Sequence, residues 1–225
     1  MAGCRWVYAG DGYLCRMPYP LRTPGWVMRL LPGVLWRMPV SADAPSVYLT
    51  FDDGPCPGVT EEVLDLLAGH GARGTFFCVG SNVAAHPLLF ERIRKEGHVV
   101  GNHTHRHLDG WRTGTDSYLE DVREAAQLIG GGLFRPPYGR IRPGQVARIK
   151  SLDSSMRTVM WSLLSGDFDT RLDPQRCADQ VLKRIRPGDI VVFHDSLKAA
   201  PRIRHALPRV LDHVRRMGWK TLPIA

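Results

Sequence analysis

From Val47 to the end of the chain, short β-branched or aromatic runs alternate with segments of helical period. This alternation leaves few options, because successive strands separated by helices must pair in parallel, through crossovers that put helices on the sheet. The strand candidates are Val47–Phe51, Thr75–Val79, His98–Gly101, Leu133–Phe134, Thr158–Leu163, Ile190–His194 and Lys220–Leu222. Helical spacing is read over 59–70, 82–96, 116–129, 143–151, 174–185 and 201–217. The last of these sets Ile203, Leu207, Val210, Leu211, Val214 and Met217 on one face. Asp173 before Pro174 reads as a helix N-cap, and Ser117 with Glu120 has capping-box spacing. The expected fold class is α/β: a parallel sheet or barrel of about seven strands.

Residues 1–44 have a different texture, rich in Pro, Gly, Arg and Trp, and their apolar stretch Trp26–Trp36 is interrupted by Arg29, Pro32 and Gly33. They are read as an N-terminal extension packing on a domain that spans 45–225. The 225 residues suffice for one sizeable core, and 44% hydrophobic against 23% charged residues excludes a disordered or fibrous chain. No apolar run approaches the ~20 residues of a membrane span, and no secretory signal is read at the N-terminus, so a cytoplasmic location is the default expectation. Five cysteines, an odd set without CxxC spacing, are expected to be reduced.

The net charge of +8 permits an anionic partner. The basic residues lack interleaved aromatics, however, and Arg202, Arg204, Arg209, Arg215 and Arg216 read as a solvated helical face rather than a nucleic-acid groove.

In a parallel barrel the loops after the strands converge on one mouth. Those loops carry Thr50-Phe51-Asp52-Asp53-Gly54-Pro55, Asn102-His103-Thr104-His105-Arg106-His107, Arg135-Pro136-Pro137-Tyr138, Asp167 and His194-Asp195. On extended backbone, neighbouring Asp52 and Asp53 point to opposite sides, so one can bind a cation while the other faces a water beside it. His103 and His107, four apart, can aim at one point from a helical turn or a compact loop, although His105 between them competes for the role. Two imidazoles and a carboxylate leave coordination positions open, which suits a hydrolytic zinc-type site or a non-haem iron centre. With Asp52 as base, His194 as acid, and Arg135 and Asp167 as charged partners, hydrolysis is the better reading.

In order and spacing these motifs resemble the polysaccharide deacetylase (NodB homology) family of metal-dependent carbohydrate N-deacetylases, over roughly residues 46–224. The resemblance implies a distorted (β/α) barrel of about seven parallel strands with a divalent ion, zinc first and cobalt, nickel, manganese or iron as alternatives, held by Asp53, His103 and His107. It implies Asp52 as general base, with Arg135 beside it, and His194 as general acid, oriented by Asp167. The backbone N–H of Tyr138 would stabilise the oxyanion. The implied substrate is an N-acetylated glycan or oligosaccharide. Three positions depart from the family pattern: Leu164 stands where an acidic residue is frequent, Phe168 where Trp is usual, and Val192 where Leu is usual. The last two would line the acyl pocket. Two alternatives follow: hydrolysis of another amide or a cyclic imide on the same barrel, or a catalytically silent barrel that binds an anionic polymer.

Overall fold

A computed structural model describes residues 6–9, 12–15, 19–130 and 132–225. Strands β1 (Trp6–Ala9) and β2 (Gly12–Cys15) pair as an antiparallel hairpin. A short helix, α1 (Gly25–Leu30), follows. Then come β3 (Ser46–Asp52), α2 (Thr60–Gly69), β4 (Thr75–Cys78), α3 (Gly80–Ala85), α4 (Pro87–Lys95) and β5 (Val99–Asn102). Next are α5 (Thr115–Ile129), β6 (Leu133–Phe134), a 3-10 turn at Pro137–Gly139, α6 (Pro143–Leu152), β7 (Arg157–Thr158) and β8 (Leu163–Leu164). The chain ends with α7 (Pro174–Leu182), β9 (Ile190–His194), α8 (Ala200–Arg216) and β10 (Lys220–Thr221).

The main sheet runs β7-β6-β5-β4-β3-β9-β8, and β10 pairs with the start of β3. All of these pairs are parallel, as the alternation requires. The sheet is a curled, distorted barrel whose two-residue period sorts side chains between two environments. Val47, Leu49 and Phe51 of β3, and Val191 and Phe193 of β9, pack outward against the helices in the largest core cluster. Tyr48 and Ile190 turn inward with Phe77 and Leu133 to form the barrel floor. The same inward rows continue upward as Thr50 and Asp52 on β3 and Val192 and His194 on β9, and the register pairs Asp52 with His194.

Three expected elements change. The single strand expected over Thr158–Leu163 is two short strands, one at each end of the sheet path, because Val159–Ser162 carries the chain across the barrel seam. Residues 82–96 form two helices broken at His86, where Pro87 prevents continuation. The Ser117–Glu120 capping box is absent: α5 starts earlier, at Thr115, after an N-cap at Gly114 without a side-chain cap. By contrast, Asp173 caps α7, accepting from the backbone N–H groups of Gln175 and Arg176. Met217 ends α8 in an exposed position rather than on its buried face.

The seam shows where buried backbone polar groups find partners. Carbonyl oxygens of Thr158 and Ser162 accept from the N–H groups of Leu35 and Thr23. Those of Val159 and Met160 accept from the Arg135 guanidinium, and that of Trp161 from the Thr23 hydroxyl. Residues between Leu21 and Leu35 thus lace the opening from outside while Arg135 fills it from inside. A buried Asp189 anchors this lacing through Arg22 (2.6 Å) and the Ser162 hydroxyl (2.7 Å).

Cys56, Cys78 and Cys177 are free thiols. The side chains of Cys4 and Cys15 lie outside the described residues. Among the described residues no helix is long and apolar enough to cross a membrane.

Candidate metal and hydrolytic site

At the C-terminal ends of β3 and β5 the chain leaves extended geometry. Asp53 has φ 82°, so the expected opposite-facing dipeptide is a strand-ending Asp52 followed by a left-handed turn. Thr104 (φ 64°), His107 (φ 57°) and Tyr138 (φ 59°) are also left-handed. These four are the non-glycine residues with positive φ among the described residues. Each such conformation costs about 1–3 kcal/mol and persists only where surrounding contacts over-determine it. All four belong to the loops around one cluster.

The contacts that hold those loops are identifiable. The Asn82 amide donates to the Asp53 carbonyl at 2.8 Å, and the buried Asp195 carboxyl accepts from Gly54 N–H at 3.1 Å and from the Thr60 hydroxyl at 2.6 Å. A Cβ added at Gly54 would lie 2.0 Å from Asp195. On the histidine loop, Asp121 of α5 accepts from the N–H groups of His105 and Arg106, both at 2.9 Å.

Asp53, His103 and His107 offer ligand atoms all within 4.8 Å of one another. Asp53 Oδ1 lies 3.1 Å from His107 Nε2 and 3.7 Å from His103 Nε2. His103 Nδ1 donates to the Arg135 carbonyl at 2.8 Å, which leaves its Nε2 as the lone-pair nitrogen facing the cluster. His107 Nδ1 lies 3.1 Å from the Tyr138 hydroxyl, so its Nε2 likewise faces inward. Burial, only partly opposed by the charge of Asp52, pushes the His103 pKa down to about 4, which favours the neutral ligand form. Asp53 is held well below the ordinary carboxylate range: burial opposes this, but the His107 hydrogen bond and the neighbouring imidazoles outweigh it. An anionic oxygen and two oriented imidazole nitrogens fit a divalent ion with open positions. His105 turns away, with Nε2 3.4 Å from Glu124, and is not in the cluster.

Asp52 and His194, register partners on adjacent strands, stand next to this cluster: Asp52 directly precedes Asp53, and the charge of Asp53 acts on His194. Asp52 Oδ1 accepts from Arg135 Nη1 at 2.7 Å, and the same Nη1 reaches the Thr50 hydroxyl at 2.7 Å. Arg135 is fully buried, with its guanidinium 4.0 Å from the Phe77 ring centroid. His194 Nδ1 lies 2.8 Å from Asp167 Oδ1, while its backbone N–H donates to Asp167 Oδ2 at 2.7 Å. Burial would lower the His194 pKa, but Asp167, with help from Asp53 and Asp52, pushes it up to about 9. Phe168 sets its ring edge-on to His194 at 5.3 Å and packs against Tyr19 at 5.0 Å. Val192 is buried one inward step below His194 and pairs with Thr50 and Leu164. Tyr138 stands exposed beside His107, with its ring 4.7 Å away.

Two supporting residues, Asn82 and Asp121, were not singled out from the sequence, and Asp195 and Arg202 were named there without a supporting role. Asp121 carried a signal, since it shares the apolar stripe of α5 with Tyr118, Val122 and Ala125. Arg202 corrects an expectation: it is buried rather than part of a solvated basic face, and its Nε donates to the Asp167 carbonyl at 2.6 Å. Its spacing of four from Ala206, on the buried face, was the available signal.

Known proteins resemble this chain in sequence and in fold. The family described as Polysaccharide deacetylase matches residues 40–156. A peptidoglycan-N-acetylglucosamine deacetylase from Bacillus cereus is 30% identical over 198 residues, covering 85% of this chain and 91% of that protein. A chitooligosaccharide deacetylase from Sinorhizobium fredii is 39% identical over 159 residues, covering 68% and 73%. The crystal structure of a peptidoglycan N-acetylglucosamine deacetylase, bound to 4-naphthalen-1-yl-N-oxidanyl-benzamide, superposes with a TM-score of 0.81 at 25% identity, covering 90% of this chain and 95% of that one. A matching profile over more than half the chain, a relative matched over nearly its whole length and a shared curled barrel together make this chain a member of the polysaccharide deacetylase family.

Proposed function

We propose that the chain hydrolyses the acetamide of N-acetylhexosamine units in a glycan, releasing acetate and leaving a free amine. The observation that carries this reading is a carboxylate tied to Arg135 and an imidazole tied to Asp167, paired in register beside one metal-type donor cluster. The relatives named as deacetylases of peptidoglycan N-acetylglucosamine and of chitooligosaccharides support the substrate class.

Asp53, His103 and His107 would hold a divalent ion, zinc first. Such an ion supplies Lewis-acid polarisation of a carbonyl and acidification of water. The protein's own residues do the rest. Arg135 occupies Asp52 Oδ1, so Oδ2 is the oxygen that takes a proton from the water attacking the acetyl carbon. Negative charge then develops on the former carbonyl oxygen, where the Tyr138 backbone N–H donates. The C–N bond breaks as His194 Nε2 passes its proton to the departing amine. Because Asp167 holds Nδ1 and the pKa is pushed up to about 9, His194 carries that proton at neutral pH. Phe168 and Val192 form the wall beside and below His194 that receives the acetyl methyl.

The test is acetate release from N-acetylated glycans by the purified protein, before and after chelation and after return of zinc or another divalent ion. Release that stops with chelator and recovers with metal is expected. Release of acid or amine only from other amides or cyclic imides, or chelator-indifferent binding of an anionic polymer without turnover, would replace this reading.

A further inference from the structure

Trp111 is a large apolar side chain left 57% exposed, yet it is held in place. Its indole Nε1 donates to the Ile141 carbonyl at 3.2 Å, and its backbone N–H donates to Asp109 Oδ1 at 2.9 Å. The Arg142 guanidinium donates to its carbonyl. The preceding Gly110 packs so closely on Arg140 that a Cβ there would lie 2.4 Å from the Arg140 carbonyl oxygen. A rigid exposed aromatic offers contact area without an ordering cost, which is the usual reason for holding one at a surface.

The position of Trp111 links it to the site. The Arg140 guanidinium lies 5.5 Å from the Trp111 ring centroid and 5.6 Å from that of Tyr138, and Tyr138 packs on the ligand histidine His107. Trp111, Arg140 and Tyr138 therefore form one stacked row leading away from the metal seat. The charge of Arg140 is met by Asp109 at 2.5 Å, so the row presents flat, largely neutralised faces rather than a free cation. That chemistry matches the C–H face of a neutral pyranose better than an acidic polymer.

We propose that Trp111, backed by Arg140, is a stacking subsite for a sugar unit neighbouring the one being deacetylated, and that it makes the enzyme favour oligomeric over short glycans. This inference rests on the glycan deacetylase reading above. None of the motif residues read from the sequence includes Trp111 or Arg140; both come from loops whose approach only the fold creates.

The experiment compares the parent protein with Trp111→Ala and Trp111→Phe on a β-1,4-linked tetramer and a dimer of N-acetylglucosamine. Steady-state acetate release is measured, together with the calorimetric Kd of the tetramer. For Trp111→Ala the ratio of kcat/KM for tetramer over dimer falls by about five- to tenfold, through KM, and the tetramer Kd rises in parallel. Trp111→Phe retains most of the preference. An unchanged ratio and an unchanged Kd in Trp111→Ala overturn the subsite while leaving the deacetylase reading standing. A parent that releases acetate from neither oligomer overturns that reading, and this inference with it.

Discussion

The two proposed proton-transfer groups beside the candidate metal cluster use the same device, an ionisable group tied to a partner of opposite charge, in different surroundings. Asp52 ends a central strand and its partner Arg135 has no solvent exposure at all. His194 ends the adjacent strand but reaches the half-buried rim, with Asp167 beneath it. Arg135 also satisfies two backbone carbonyls of the barrel seam, so the base side belongs to the framework as much as to the chemistry. The acid side hangs on one imidazole–carboxylate contact, braced from behind by Arg202 and Phe168. Equal roles in the proposed reaction would thus carry unequal burdens in folding.

This contrast is broken most directly by comparing Asp52→Asn with His194→Gln. On the proposed mechanism, each lowers kcat by about 10²–10⁴-fold in acetate-release assays. Only Asp52→Asn leaves a buried guanidinium without its counter-ion, so it also loses about 3–5 kcal/mol of stability in denaturant titrations. His194→Gln costs less, about 1–3 kcal/mol, because its amide can still donate to the buried Asp167 carboxylate at the partly exposed rim. Equal stability losses would show that the two flanks are embedded alike.

The metal seat sharpens the comparison next. On the proposed ligand set, His103→Ala, which removes a buried imidazole oriented by the Arg135 carbonyl, weakens metal binding by more than about 100-fold in equilibrium dialysis. His105→Ala leaves the metal stoichiometry unchanged, because that ring faces Glu124. The reverse pattern would reassign the ligand set.

A smaller effect comes from pH. The folded His194 pKa of about 9 lies above the ordinary 6.5, so stabilisation by the Asp167–His194 pair is complete below about 6.5 and is lost as pH rises through about 9. On the same footing, the alkaline limb of kcat/KM follows deprotonation of His194. Asp167→Asn moves that limb by at least about one pH unit toward acid, since the anion that favours imidazolium is gone. A limb that stays put would mean another group supplies the proton.

Much of this was legible in the chain itself. Alternating strand and helix periods leave little but a parallel sheet, and a two-residue strand period puts Asp52 and His194 on inward rows once their neighbours Phe51 and Phe193 are packed against helices. The order of acidic, imidazole and guanidinium residues at strand ends is likewise a property of the one-dimensional string. The break of 157–164 into two strands was not legible, because the apolar run reads the same whether it pairs with one neighbour or bridges two. The burial of Arg202 stayed hidden as well, since an arginine among arginines reads as surface until its helix is docked.

The amino-acid sequence determined which functional groups arrive at the barrel mouth, because strand periodicity and chain order are local properties. Tertiary structure decided which of three histidines face Asp53, which oxygen of Asp52 stays free and which aromatic ring stands beside the site. Those outcomes depend on left-handed turns at Asp53, Thr104 and His107, held by Asn82, Asp121 and Asp195 from distant parts of the chain. No local rule supplies such contacts, because their stabilisation exists only after the helices and the seam have closed around them.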